Sequence, residues 1–430
     1  MTNADQTQLN RLFHVKQIAH QTEPNQLFHV KQIDKTQSHL KRSLMGAVAA
    51  IALVGTACTG NTAPIGWAAP VFANGLVIVT NQNGTISGLK TAGTDAPTVA
   101  WTYPEQTAAS SSGSEDFVSR FFNFVGGLFS AKKSASNFSA VYATPRVETV
   151  GNQQRVFLAS YTGDVIALDT ATGKPATGWP ANVNVGGRVA ATPAFDGKLL
   201  YLGTNHGDIR TLDAASGSVG GAIVGTGARV WAEPLLLNGT LYISSLDHTV
   251  RAIDPNSKAE RWKTDVGGAV AGNPAVISGL MIVPTLNSTV VALDIASGEK
   301  RWTMTGDNWF WSQPLATNDV VYVATASGTV YALDRATGSE KWHSAPLVAE
   351  VRTAPVLQGG SILIATRTGV IVALDPASGA EQWRKAVEKA AFLADPLVLD
   401  SGIVYAAEDG SLYRVTPQDQ GVNLLYKRGK

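Results

Sequence analysis

The chain has 430 residues, a formal net charge of +1 and one cysteine. This balance carries no electrostatic footprint for nucleic acid or an acidic surface. A lone cysteine excludes an internal disulfide and a cysteine-rich zinc site. With 44% hydrophobic residues and 42 glycines, the composition supplies a substantial core cut by many tight turns.

Residues 1–39 contain a duplication: LFHVKQI occurs at 12–18 and again at 27–33. The codons TTG TTT CAC GTG AAA CAA encode LFHVKQ and equal their own reverse complement, resembling the centromere-like sites bound by chromosome-partition proteins. Two readings stand: a disordered extension, or DNA translated from upstream of a true start near Leu40. Neither contributes to a fold. Residues 40–57 read as a signal peptide, with Lys41 and Arg42 ahead of MGAVAAIALVGTA, an apolar run too short to span a bilayer. Gly55, Thr56 and Ala57 then lead into Cys58. Small residues before a cysteine resemble a bacterial lipobox, although Gly55 stands where Leu is usual. The resemblance implies that the Cys58 thiol receives diacylglycerol and becomes the mature N-terminus of an exported lipoprotein, anchored on the extracytoplasmic side of a membrane. The alternative is an ordinary cleavage site at which Cys58 has no role.

From residue 63 one pattern recurs: an apolar or aromatic residue, x-Pro-Val/Leu, a Gly or Asn turn, an apolar run, x-x-Gly-x-Val, Ala-Leu-Asp, x-x-Ser/Thr-Gly, x-x-Trp. Pro70, Pro145, Pro193, Pro234, Pro274, Pro314, Pro355 and Pro396 mark its phase, and the last five spacings are 41, 40, 40, 41 and 41 residues. A period near forty with four short strands per unit predicts an all-β, eight-bladed β-propeller of four-stranded antiparallel blades over 58–430. Proline cannot donate to a β ladder, so prolines at one phase predict eight innermost strands whose free edges face a central channel. The residue two before each proline is small, as tight packing near an axis demands. Residues 420–426 read as the outer strand of the last blade, so the ring closes by packing of blade 1 on blade 8 rather than through a shared blade.

Residues 105–138 interrupt the first two units. Phe117, Phe121, Phe124 or Val125, and Leu128 recur at helical spacing. The predicted short helix either docks on a partner or membrane surface or folds onto its own propeller; Gly126 and Gly127 weaken it.

Trp262, Trp302, Trp342 and Trp383 each follow a turn aspartate by eight residues, Trp179 follows Asp169 by ten, and Trp101 closes the first unit. Position, spacing and identity together resemble the repeats of the pyrroloquinoline quinone (PQQ) family over about residues 63–430. The resemblance implies that these tryptophans dock neighbouring blades. In the third unit Gly220, Gly221 and Ala222 stand where Trp is expected, which predicts a weaker junction there.

The same resemblance raises the question of a chemical site. Dehydrogenases of that family hold PQQ and calcium in the channel with an acidic base, a stacking Trp and usually a vicinal disulfide; no cysteine pair exists in this chain. Before the prolines stand Glu233, Asn273, Gln313 and Asp395, whose oxygens suit a hard cation. Three residues before the prolines stand Trp67, Tyr142, Trp231, Trp311 and Arg352. These nine residues are the candidate lining of a binding funnel at one channel mouth; inter-blade packing and solvated channel polars is the bland alternative. His206, His248 and His343 stand singly, without metal-ligand spacing. The expectation is therefore a noncatalytic, membrane-anchored scaffold with envelope proteins as partners, a monomer within a complex, with no cofactor and no metal. It is similar to the propeller lipoprotein of the outer-membrane β-barrel assembly (Bam) machinery. The rivals are a PQQ- and calcium-dependent quinoprotein dehydrogenase and a surface receptor for a small ligand or glycan.

Overall fold

The computed structural model describes residues 67–81, 84–91, 97–104, 138, 140–347 and 349–427. Residues 1–57, Cys58 and the segment predicted as a helix within 105–138 lie outside the described residues.

Eight sheets of four antiparallel strands follow one another along the chain, each built from four consecutive strands. Numbered as blades, they span 71–103, 146–184, 194–225, 235–265, 275–305, 315–343, 356–386 and 397–426. The fold is an eight-bladed β-propeller. The first strand of each blade starts immediately after a repeat proline: Val71–Ala73 after Pro70, Leu235–Leu237 after Pro234, Leu397–Leu399 after Pro396. In four blades the residue four before the proline makes a separate bridge to the second strand, at Val189↔Thr204, Phe310↔Thr325, Val351↔Thr366 and Phe392↔Ala407. The inner strand thus comes in two pieces. The proline sits in the gap, where no ladder donor is needed.

The alternation around the prolines has a packing cause. The residues four before are core, with Val189, Val230, Val270, Val351 and Phe392 all 0% exposed. Those two before are small and buried, from Ala68 to Ala394. The intervening positions, one and three before, are left to face the channel. One apolar layer fills each junction between neighbouring blades. At the ring's closure Val77, Val79 and Leu89 of blade 1 meet Val404 and Leu412 of blade 8, with Leu425 and Tyr426 of the last strand against them. Each blade has its own four strands, and none is shared.

The Ala-Leu-Asp and Trp motifs are two halves of one dock. In the ladder Trp262, Trp302, Trp342 and Trp383 stand opposite Ala252, Ala292, Ala332 and Ala373, so each indole lies beside a small neighbour. The ring then reaches the next blade. Trp101 Nε1 donates to Thr170 O at 3.0 Å, Trp262 to Ile295 O at 3.2 Å, Trp302 to Arg335 O at 2.9 Å and Trp342 to Pro376 O at 3.1 Å. Each acceptor is the residue after a turn aspartate. The aspartate orders that turn: Asp334 Oδ1 accepts the N–H groups of Ala336 and Thr337 at 3.1 and 3.0 Å. The turn glycine lets the indole approach; at Gly338 (φ +72°) an added Cβ would fall 2.5 Å from the Trp302 ring. Trp383 is 9% exposed and Trp179 7%; the Trp179 Nε1 has no hydrogen-bond partner.

Where the Trp is missing, the glycine is missing too. Blade 3 ends without an indole, and the turn of blade 4 carries Lys258 (φ +62°) in the glycine position. Lys258 Nζ donates to Ala222 O at 3.1 Å, at the place an indole would occupy. Between blades 2 and 3 a buried guanidinium is a second kind of clasp. Arg155, 6% exposed, donates to Ala214 O, Ala215 O and Thr177 O at 2.9, 3.1 and 2.9 Å.

Candidate binding site at the channel mouth

All eight blades send the residues before their prolines to one end of the channel. The positions three before form a ring of Trp67, Tyr142, Ala190, Trp231, Ala271, Trp311, Arg352 and Leu393. The positions one before form a second ring beneath it, to which Ala69, Thr144, Thr192, Asn273, Gln313 and Asp395 contribute. Together they enclose a cavity of about 100 Å3, aromatic on the outside and polar within. Eight of the nine candidate residues therefore line one cavity: Trp67, Tyr142, Trp231, Asn273, Trp311, Gln313, Arg352 and Asp395. Glu233 is outside the lining.

The aromatic residues are locked by their neighbours. Trp67 meets Tyr142 edge-on with ring centroids 4.5 Å apart, and Tyr142 meets Tyr161 at 5.2 Å. Trp309 stands edge-on to Trp311 at 5.9 Å. Guanidinium groups lie over two of the indoles: Arg352 over Trp311 at 5.0 Å and Arg229 over Trp231 at 5.5 Å. Such contacts are attractive because the ring face carries negative quadrupole density. Burial, with the Tyr161 phenol adding to it, pushes the Tyr142 hydroxyl up to about 12.

Several polar groups of the lower ring already have partners. Asn273 Oδ1 accepts the Glu233 backbone N–H at 2.8 Å, and Asp395 Oδ1 accepts that of Ala354 at 2.6 Å. In both, the side chain before the proline of one blade clasps the backbone of the blade before it. Gln313 Nε2 reaches Pro274 O at 3.4 Å. Glu233 turns to Arg146, whose Nη1 stands 3.6 Å from Oε1, and Arg146 also pairs with Glu148 at 2.6 Å. Arg146 thus links blade 2 to blade 4, past blade 3. Burial pushes the Glu233 carboxyl up to about 7; Arg146 pulls it down and the Asp395 charge adds to the rise. Burial raises Asp395 too, against the pull of the Ala354 N–H.

Two residues of this site escape a reading of the repeat. Arg146 is the only charged residue directly after a repeat proline. Ser312 occupies a position that is otherwise Ala, Gly or Thr; it is 5% exposed, and its Oγ has no hydrogen-bond partner. Size alone hid Ser312, and its hydroxyl was the available signal.

The residues present do not fit PQQ with calcium. About 100 Å3 is small beside the roughly 300–1,000 Å3 of pockets for drug-sized ligands. Of the oxygens that would meet a hard cation, Asn273 Oδ1 and Asp395 Oδ1 accept backbone N–H groups and the Glu233 carboxylate is drawn to Arg146. Among the described residues no group of three or more His, Cys, Asp or Glu is placed to hold a metal ion.

Fold and docks together define a PQQ-type repeat propeller, with blades joined by tryptophan docks around a common channel. The family model described as outer membrane protein assembly factor BamB matches residues 139–232, 246–356 and 344–424, more than half of the chain. The chain belongs to the BamB family. Among solved structures it is similar to BamB from Moraxella catarrhalis, at 20% identity and a TM-score of 0.61, covering 80% of this chain and 94% of that one. It is equally similar to the computationally designed Ika8 protein, at 15% identity and a TM-score of 0.61, covering 81% and 95%. At these identities the likeness is one of fold. No curated protein sequence matches the chain.

Proposed function

We propose that the protein is a noncatalytic, extracytoplasmic scaffold of an envelope assembly machinery, the one that places β-barrel proteins in an outer membrane. The observation that carries this reading is the BamB-family match over more than half of the chain. The architecture supports it: a ring with a filled junction between every pair of neighbouring blades offers a rigid disc whose loops and edges hold partners, while the cavity at its mouth, about 100 Å3, is small for a redox cofactor. In this reading the chain is a monomer within a complex, held at the membrane by lipid on Cys58. The diacyl and N-acyl chains of a mature lipoprotein anchor firmly where one chain would not.

The test is co-purification. Tagged full-length protein is isolated from detergent-solubilised membranes, beside a Cys58→Ser variant. The expected result is a stable complex containing outer-membrane barrel assembly factors, with the variant released to the soluble extract. Recovery of the wild-type chain alone would overturn the scaffold reading.

A further inference from the structure

The eight junctions between blades are not equal. Trp101, Trp262, Trp302 and Trp342 each donate across to the next blade. Trp179 and Trp383 are buried in the apolar layers between blades 2 and 3 and between blades 7 and 8. The two remaining junctions hold no indole. Between blades 3 and 4 Lys258 takes its place. At the ring's closure the ladder positions that carry Ala and Trp in blades 4 to 7 carry Arg414 and Asn423, and Asn423 is exposed.

The buried layers repeat the pattern. Among the described residues the layer between blades 8 and 1 has five buried apolar side chains, and that between blades 3 and 4 has eight. The other layers have ten to fourteen. Apolar burial stabilises in proportion to the area removed from water, so the junctions without an indole are also the weakest seams. The clasps at the channel mouth divide along the same line. Trp67 on Tyr142 lies within blades 1 to 3. Asn273 on Glu233, Gln313 on Pro274 and Asp395 on Ala354 lie within blades 4 to 8. Of the mouth contacts described above, the 3.6 Å pair of Arg146 with Glu233 passes from one set to the other. With side chains 34% and 30% exposed, that pair adds little.

We propose that the propeller is two rigid arcs, blades 1–3 and blades 4–8, that part at the 8–1 seam and pivot on the 3–4 seam. The chain runs through the second seam and not through the first, so one is the hinge and the other the gate. The link at the hinge starts Gly225-Thr226-Gly227, small residues of the kind that absorb a pivot. Closed, the ring is the disc described above. The arcs part as a local opening that costs less than global unfolding, and each arc keeps its own docks. The mouth cavity takes Trp67 and Tyr142 from one arc and Trp231, Trp311, Arg352 and Asp395 from the other, so parting of the arcs widens it.

The hinged ring goes beyond the scaffold reading and does not rest on it. Its test is native-state hydrogen exchange, read by mass spectrometry on the purified full chain in rising urea below the unfolding transition. The strands beside the gate are Leu76–Thr80 and Leu412–Thr416, and those beside the hinge are Asp208–Asp213 and Thr240–Ser244. They should exchange about tenfold faster or more than Thr289–Asp294 and Val330–Asp334 inside the larger arc. The strands at gate and hinge should also share one urea dependence, because one opening exposes them. Equal exchange in all eight blades would overturn the proposal. Early exchange confined to blades 8 and 1 would overturn it too, as fraying of the terminal blades without a hinge. Trp302→Ala creates a further undocked junction inside the larger arc, and should speed exchange of Thr289–Asp294 and Val330–Asp334 about tenfold or more. No acceleration there would show that the indoles do not set the seams. Failure to co-purify leaves the hinged ring untouched, and failure here leaves co-purification untouched.

Discussion

Gly338→Ala tests the dock between blades 5 and 6 most sharply. The substitution meets two separate penalties. Gly338 has φ +72°, where an L residue costs about 1 kcal/mol. Its new Cβ would stand 2.5 Å from the Trp302 ring, and overpacking of that kind costs about 1–3 kcal/mol. The single variant should therefore lose about 3 kcal/mol. Trp302→Ala should lose about 3–5 kcal/mol, because the indole is 8% exposed and its N–H is committed to Arg335 O. In the double variant the ring is gone, so only the backbone part of the Gly338 penalty remains. The double variant should thus be more stable than the sum of the two losses predicts, by about 1–3 kcal/mol. Equilibrium urea denaturation of all four proteins, compared at equal m values, gives the coupling. Additivity within about 0.5 kcal/mol would refute the claim that glycine and indole form one dock.

Glu233 makes stability depend on pH in an uncommon direction. Folded, its carboxyl holds its proton to about pH 7; unfolded, it releases it near 4.3. Between those values the folded state binds more protons, so stability falls as pH rises and stays lower above pH 7. The side chain keeps 30% of its area exposed, which limits the effect to about 2 kcal/mol. Glu233→Gln should flatten the fall between pH 5 and 8 in thermal melts; curves parallel to wild type would contradict the burial. Arg155→Ala should destabilise by about 3 kcal/mol, since three blade 2 and blade 3 carbonyls lose a charged donor. Arg155→Lys should not restore it in the same denaturation assay, because an ammonium lacks the planar fork. Tyr405 is fully buried and its hydroxyl has no hydrogen-bond partner, so Tyr405→Phe should be neutral or stabilise by about 1 kcal/mol; a loss above about 1 kcal/mol would show that the hydroxyl has a partner.

The blade count and strand order were legible because backbone chemistry repeats them. Each proline marks the start of an inner strand for the same reason, its missing N–H. The tryptophans were legible as docking residues only through the resemblance to PQQ-type repeats, which their fixed distance from a turn aspartate carries. Their targets were not: that Trp302 reaches Arg335 O, or that an alanine must stand opposite each indole, depends on how blades are rotated about the axis. The missing Trp of blade 3 was visible, but its counterpart was not. Lys258 looks like an ordinary turn residue until its Nζ is seen at Ala222 O. The funnel emerged from counting back from the prolines, because alternation in an extended chain sends odd positions to the channel. Glu233 broke that rule in one respect, since Arg146 from a blade two places away draws its carboxylate aside. Long-range pairing of that kind leaves no spacing in a sequence.

The scaffold reading is tested most directly in cells that lack the chain. Folded β-barrel proteins in the outer membrane are quantified by their heat-modifiable mobility, with wild-type and Cys58→Ser copies restored on a plasmid. The expected result is a fall in folded barrels, full rescue by the wild type and weak rescue by the variant. Unchanged barrel levels in the deleted strain, with the envelope intact, would contradict the assignment.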